Sequence, residues 1–275
     1  WACVVPACRP LAPFLPGLTG PYALPRRTGV SSTYWVSEGQ APTNSNSTTD
    51  HCNLSPKTCG ALSSFTRLAQ LQADNPAIED FIRADLVAVI AEAIDQAALT
   101  GTGTNNEPQG IINTTGVGSV IGGDNGAAVT FDHLAALKAE VSKDNADVPS
   151  GGFAINPATE AALLKLKGVT DGQYLLGPAA ISAGSPASFW GRKYAVSSLL
   201  PSTLVKGNST AVCSALIYGN WSDLVIGMWS SLEILVNPFG SGFAAGDVEI
   251  RALQTVDVAV RHPESFAVML DAKTA

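Results

Sequence analysis

Apolar residues recur at intervals of three and four between residues 76 and 100, the spacing of one face of an α-helix. Asn75 and Pro76 supply a helix cap and a first-turn proline, and Gly101 is the type of residue that often follows a helix end. We therefore predict a rod of about 38 Å, at 1.5 Å per residue, that ends in a turn. The predicted inward positions are Ile78, Phe81, Ile82, Leu86, Val89, Ile90, Ala93, Ile94, Ala97 and Ala98. The glycines of "GTGTNNEPQGI" follow this helix, whereas phosphate-binding loops precede one, so the stretch is interpreted as a turn.

Two segments before the rod have patterns of extended chain. Residues 1–28 contain six prolines, which favour an extended strap whose apolar side chains need another surface, with a neighbouring copy as a candidate for it. The runs "SSTYWVSEG" (31–39) and "CGALSSFTRLAQ" (59–70) resemble strands and flank a polar stretch. We predict a long hairpin that must lie on another surface, with a disordered loop as the alternative.

The remaining chain predicts a compact mixture of helices and strands over residues 116–240. Thr130 is expected to cap a helix that runs to about Val141, with Phe131, Leu134, Leu137 and Val141 inward. Asn156 and Pro157 are expected to open a second helix, ending at Gly168. Strands are predicted at "GGFAIN", "KYAVSSLL", "SALIYG", "LVIGMW" and "LEILVN", and the closing stretch "DVEIRALQTVDVAVRHPESFAVML" is predicted to form strands that return to the rod.

Composition narrows the classes of function. Hydrophobic residues make up 46% of the chain and charged residues only 14%, which suits a surface buried against copies of itself. The 23 acidic residues against 16 basic ones give a net charge of −7, which argues against a protein that wraps nucleic acid. Charged residues also interrupt the apolar run 76–100, so no membrane span is predicted.

Candidate chemistry is sparse. Cys3, Cys8, Cys52 and Cys59 form two spaced pairs that miss the Cys-x2-Cys spacing of zinc sites, which leaves free thiols or disulfides open, and Cys213 is interpreted as a buried hydrophobe. His51, His133 and His262 lie in different predicted elements. The rod carboxylates Asp85, Glu92 and Asp95 are expected on a solvated or subunit-contacting face. We predict no catalytic residues, no metal site and no cofactor.

The order of these elements resembles the α+β coat fold of tailed-bacteriophage major capsid proteins, the Hong Kong ninety-seven fold. The resemblance is carried by the rod with "TGTGTNNEPQGII", by "AINPATEAALLKLKGVTDGQYL", by "FWGRKYAVSSLLP", by "YGNWSD" and by the closing "RHPESFAVML". Each motif is loose, and their order over nearly the whole chain is the specific part.

The resemblance implies a division of the chain and a set of assembly contacts. Residues 1–28 would be an N-terminal arm, 29–70 an extended loop, 71–113 and 241–275 a peripheral domain with its spine helix, and 114–240 an axial domain. Assembly contacts are expected at Phe14, Arg26, Arg27, Tyr34, Trp35, Glu38, Arg83 and Glu92. Trp1, which is not an initiator Met, would fit removal of a scaffolding segment by a protease.

The implied function is a coat whose pentamers and hexamers form an icosahedral shell around double-stranded DNA, in a virion assembled in the host cytoplasm. Portal and cement proteins are the implied partners. The autocatalytic Lys–Asn cross-link of some relatives is not expected, because Lys57 is predicted in the returning strand and the matching Asn and Glu positions fall near Gly246 and Leu253. Disulfides among Cys3, Cys8, Cys52 and Cys59 are a hypothesis for fastening copies instead. An encapsulin-like protein compartment and a secreted adhesion domain are the alternatives.

Overall fold

The computed structural model describes residues 12–41, 43–72, 75–167, 188–240 and 242–274. These residues form four α-helices and fifteen β-strands. The helices are α1 (Arg67–Gln72), α2 (Asn75–Thr100), α3 (Phe131–Lys143) and α4 (Pro157–Leu164). The strands are β1 (Phe14–Pro16), β2 (Tyr22–Arg27), β3 (Thr49–Leu54), β4 (Lys57–Phe65), β5 (Gly118–Ser119), β6 (Ala127–Ala128), β7 (Gly152–Ile155), β8 (Ser188–Phe189), β9 (Arg192–Val196), β10 (Leu204–Lys206), β11 (Ser209–Gly219), β12 (Leu224–Met228), β13 (Glu233–Asn237), β14 (Val248–Val260) and β15 (Phe266–Lys273).

The long helix α2 lies against a five-stranded sheet. The sheet is built on β14, which pairs with β4 along one edge and with β12 and then β13 along the other. Leu86, Ile90 and Ile94 of α2 pack into the same core as Ile250, Ala252, Val256 and Val258 of β14. The predicted rod is confirmed. Phe81 and Val89, two of its predicted inward residues, are exposed, because the sheet covers only one side of the helix.

The turn after α2 is held by close backbone packing. A Cβ atom on Gly101 would lie 2.3 Å from the Pro108 carbonyl oxygen, and one on Gly110 would lie 2.6 Å from the Gly101 nitrogen. Gly101 follows the end of α2 as predicted, and this close approach is what requires a glycine there. Asn105 and Asn106 have φ values of 53° and 62°, and Asn113 Nδ2 donates to the Thr100 and Gly101 carbonyls at 2.9 Å.

A second, eight-stranded sheet has β15 and β11 at its centre, with α3 and α4 on one face. Leu134, Leu137 and Val141 of α3 are buried as predicted, whereas Phe131 is half-buried. Asn156 caps α4 by accepting from the Ala158 nitrogen at 2.8 Å, and α4 ends at Leu164. Gly168, where this helix was predicted to end, lies outside the described residues.

Two predictions about strand pairing are wrong. No strand forms within residues 28–41 and 43–48; the hairpin instead joins β2 to β3, while β4 pairs with β14. Only the first half of the closing stretch returns to the rod, because β15 pairs with β11 in the second sheet. The boundary predicted at residue 240 therefore cuts across both sheets, since β12 and β13 belong with β14.

The strap is extended over residues 12–28. Its strand β1 pairs in parallel with β12, with Phe14 opposite Ile226. Phe14 is half-buried against the main core and Leu15 against a small cluster around Leu54. The surface that these two residues need is supplied by their own chain.

Candidate assembly surface

The loop between β2 and β3 has an ordered base and an unsupported tip. At the base, Thr28 N donates to the Thr48 carbonyl at 2.9 Å, and Ser32 N donates to Ser45 Oγ at 2.7 Å. Every residue from 31 to 41 is exposed, and Trp35 has 104% of its reference accessible area. Tyr34 and Val36, on either side of it, are also exposed. The loop thus presents a run of large apolar side chains that no described part of its own chain covers.

The hairpin base contains the first ion pair of this surface. Arg26 Nη2 lies 2.7 Å from Asp50 Oδ2 across the β2–β3 ladder. This hydrogen bond raises the pKa of the Arg26 guanidinium and lowers the pKa of the Asp50 carboxyl. Arg26, predicted as an assembly contact, is thus engaged within its own hairpin. Arg27 lines a cleft of about 540 Å³ together with His262 and Glu264.

A buried ion pair fixes the start of β4. Lys57 Nζ lies 3.2 Å from Asp257 Oδ1 and donates to the Glu107 carbonyl at 3.2 Å. Asp257 is only 3% exposed, and its Oδ2 accepts from Ser55 N at 2.8 Å. The pair ties β4 to β14 and to the turn after α2. Lys57 lies away from the loop tip, as predicted, but in β4 and not in β3, the strand that returns from the loop.

The two predicted contacts on α2 lie on opposite sides of the helix, because the nine residues from Arg83 to Glu92 span about two and a half turns at 3.6 residues per turn. Arg83 Nε donates to Glu79 Oε1 at 2.9 Å one turn earlier, and Glu92 is exposed. Phe81, 63% exposed, and Val89 lie on the same outer side as Glu92, so apolar side chains adjoin a charge there. Asp95 was expected on this face, but it is buried at 1% exposure. The helix therefore offers a mixed surface on the side that faces away from its sheet.

Cys52 and Cys59 are too far apart for a bond within one chain. Cys52 Sγ lies 3.7 Å from the Val260 carbonyl, and Cys59 pairs with Gln254. These two positions on β14 are six residues apart, about 20 Å at 3.3 Å per residue, whereas a disulfide joins Cα atoms within about 7 Å. Burial raises the pKa of both thiols, which disfavours the reactive thiolate. Cys3 and Cys8 lie outside the described residues.

Groups suited to catalysis are not gathered here. Within the described ranges, no cluster of three or more His, Cys, Asp or Glu side chains is placed to hold a metal ion. His51, His133 and His262 lie in β3, α3 and the turn before β15. His133 Nδ1 accepts from Thr130 N at 3.2 Å in a helix cap. No helix of the described part is long and apolar enough to cross a bilayer.

Sequence reasoning missed three features of this surface. Asp257 was not singled out, although a lone carboxylate in the apolar alternation "TVDVAV" is a signal for a buried ion pair. The exposure of Phe81 on the rod could not be read from helical spacing alone. The exposed pair Phe239 and Phe243, with ring centroids 5.9 Å apart, lies in the β13–β14 connection and has no periodic signal.

The fold and this surface define a class of protein: an α+β subunit with a helix-backed sheet, a second sheet, and a projecting apolar loop. The profile of the Phage capsid family matches residues 7–270. The chain belongs to this family, whose members are structural components of the virion.

Named relatives agree with this assignment. The chain is 24% identical over 258 residues to the major capsid protein of Halomonas phage phiHAP-1, covering 94% of this chain and 39% of that protein. It therefore spans well under half of this curated relative. Among solved structures, the capsid of a native GTA particle superposes with a TM-score of 0.77 at 20% identity, covering 97% of this chain and 90% of that one. A structure from Gordonia phage Cozz gives a TM-score of 0.75 at 20% identity, covering 98% and 87%.

Proposed function

We propose that the chain is a coat subunit that assembles, as pentamers and hexamers, into an icosahedral shell around double-stranded DNA. The observation that carries this proposal is the β2–β3 loop, whose Tyr34, Trp35 and Val36 are exposed in the single chain. A contiguous apolar surface of this kind marks a site of association. Family membership makes another copy of the same chain the natural partner.

The charge of the chain suits a container for DNA better than a DNA-binding protein. A net charge of −7 provides no excess of cations to neutralise phosphates, so the enclosed duplex would not be held by sequence or by salt bridges. The proposed role needs no cofactor and no catalytic group. Portal and cement proteins are proposed as further partners, and the host cytoplasm as the place of assembly.

The family match favours a phage coat over the two alternatives. An adhesion domain would work as a soluble monomer that binds glycan or protein, and an encapsulin-like shell would hold a protein cargo. The domain names arm, extended loop, peripheral domain and axial domain remain part of the proposal. So do the contacts of Arg27, Tyr34, Trp35, Glu38, Arg83 and Glu92 with neighbouring copies, and any disulfide between copies.

Negative-stain microscopy of the purified chain, with light scattering after size exclusion, tests the proposal. We expect closed particles of megadalton mass, and we expect Trp35→Ser to reduce their yield strongly. Val205→Ser is a matched control, because Val205 is an exposed apolar residue in β10, far along the chain from the loop. A wild-type chain that stays monomeric under all assembly conditions would contradict the proposal.

The contents of the particles distinguish a phage coat from the encapsulin-like compartment. Particles isolated from infected or expressing cells are expected to contain nuclease-protected double-stranded DNA when packaging components are present. A defined protein cargo in place of DNA would support the compartment alternative instead.

A further inference from the structure

The strand β4 has one edge without a partner. Among the described residues it pairs with β14 alone, from Lys57 opposite Val256 to Phe65 opposite Val248. Its second edge is nine residues long and carries backbone N–H and C=O groups that no described strand contacts. Such an edge is a template for a strand from another chain.

A groove lies beside the first residues of this edge. It has a volume of about 330 Å³ and is bounded by β4, the C-terminal half of α2 and the turn at residues 105–108. Its apolar lining comes from Ala93, Ile94, Ala97, Pro108 and Val256. Cys59 faces it, because burial alternates along β4 and places Lys57, Cys59 and Ala61 on the side toward α2. The groove is large enough for one aromatic ring system.

The opposite face of the same edge is also apolar. Leu62 is 66% exposed on the side of β4 that faces away from α2. Leu235 of β13 is exposed on that side of the sheet, since both residues pair with Arg251 of β14. A strand added to this edge would therefore meet apolar surface on both of its faces.

The β2–β3 loop contains a strand-like segment that pairs with no described strand. Residues 31–37, "SSTYWVS", are rich in residues that favour strands, and within the described ranges none of them takes part in a sheet. In an extended conformation Trp35 would point to one face and Tyr34 and Val36 to the other. The segment thus fits both faces of the β4 edge. Trp35 would meet the groove on one face, and Tyr34 and Val36 would meet the exposed leucines on the other.

We propose that residues 31–37 of one copy add as a strand to the free edge of β4 of a second copy, with Trp35 in the groove beside Cys59. The orientation is antiparallel, because it carries Glu38, the single charged residue of 28–41, past the Lys57 end of β4, where its carboxylate can remain hydrated. A parallel strand would place Glu38 opposite Leu62, on the apolar face of the edge. The inference rests on the proposed function, since it requires a second copy in contact.

Cross-linking by cysteine tests the register. In Trp35→Cys particles, oxidation with copper phenanthroline is expected to join the new thiol to the native Cys59 of a neighbour. The products are a ladder of linked chains on a non-reducing gel and a 35–59 linked peptide by mass spectrometry. The ladder should disappear when Cys59→Ser is added. Tyr34→Cys and Val36→Cys place the thiol on the opposite face and should link to Cys59 at least about tenfold less, since disulfide geometry is strict.

A second pair keeps the tryptophan in place. In the antiparallel register Thr33 lies beside Ala61 when Trp35 lies beside Cys59, so Thr33→Cys with Ala61→Cys should give the same ladder. This variant decides the matter if Trp35→Cys subunits do not assemble.

The outcomes separate the two proposals. Wild-type protein that forms no particles under the microscope contradicts the proposed function. Particles that form but give no link at either pair overturn the strand addition while leaving the coat function intact. A link found only within one chain, as a linked peptide in the monomer band, also overturns it.

Discussion

The β2–β3 loop and the strand β11 represent opposite extremes of burial in one chain. From Cys213 to Gly219, seven consecutive residues of β11 are buried, and the strand has β15 and β7 as neighbours. From residue 31 to 41, every residue is exposed, although the segment contains a tyrosine, a tryptophan and a valine. Apolar content therefore does not determine burial here. What differs is whether the chain supplies a second surface for the apolar side chains, and for the loop none of the described residues does so.

Replacing one buried and one exposed aromatic residue by alanine should show this difference in burial most strongly. Phe153 lies in β7, between β9 and β11, and is fully buried. Phe153→Ala should therefore lower the free energy of unfolding of the unassembled subunit by about 3–5 kcal/mol. Trp35→Ala should change it by less than about 0.5 kcal/mol, because the ring contacts nothing in the single chain. Urea unfolding followed by circular dichroism measures both. A large loss from Trp35→Ala would mean that the loop packs on its own subunit.

The two ion pairs extend the comparison to charged groups. Lys57→Met leaves Asp257 buried without its cation, and we expect a loss of about 2–4 kcal/mol, reduced by the partial exposure of the lysine. The double variant Lys57→Met, Asp257→Asn removes the charge and keeps an acceptor for Ser55 N, so it should recover most of the stability. Arg26→Met breaks the exposed pair with Asp50 and should cost far less. Equal losses at the two pairs would contradict this difference in burial.

A helix cap gives a smaller, local effect. Asn156 accepts from Ala158 N and donates to the Leu200 carbonyl at 2.6 Å, so Asn156→Ala should cost about 1–2 kcal/mol. Asn53→Ala, at an exposed position in β3, is the control and should be nearly neutral. Thermal unfolding of the two variants compares them directly. A neutral Asn156→Ala would show that water replaces the cap.

The smallest effect concerns pH at the turn after α2. The Thr102 hydroxyl donates to Glu107 Oε2 at 2.6 Å, and this bond lowers the pKa of Glu107 below its ordinary value of 4.5. Because the pKa of Glu107 is depressed in the folded state, the stabilisation that this hydrogen bond supplies is complete above pH 4.5. It is lost as the pH falls through the lowered pKa of the folded state. Solvent screening keeps it below about 0.5 kcal/mol. Glu107→Gln should remove this part of the pH dependence, which hydrogen exchange at Thr102 N would report.

Local signals in the sequence predicted the helices well and the pairing of strands poorly. The cap at Asn156 and the spacing of Leu134, Leu137 and Val141 are decided within one or two turns of chain, so the pattern is sufficient. The partner of β4 is β14, nearly two hundred residues away, and nothing near Cys59 specifies it. The pattern at 31–39 predicts a strand, but none forms there in the single chain. It could not show that no strand within the described chain pairs with it.

The candidate surface was predictable only in part. Exposure of Tyr34, Trp35 and Glu38 agrees with the residues chosen from the resemblance, whereas Phe14 packs within its own chain and Arg26 is paired there. The reason is that residue type and position along the chain do not reveal which side of a strand faces the core. Phe14 faces the core because it packs against the main hydrophobic cluster. Arg26 is directed across the β2–β3 ladder because it pairs with the Asp50 carboxylate.

The parallel pairing of β1 with β12 has a consequence for how the subunit is made. Phe14 is opposite Ile226, so the first strand has no docking position until more than two hundred further residues have left the ribosome. Closing so long a loop is entropically slow, and three residues of pairing recover little of that entropy. The body of the subunit can therefore fold first, and the leading segment can be fastened last, as the final step of biogenesis.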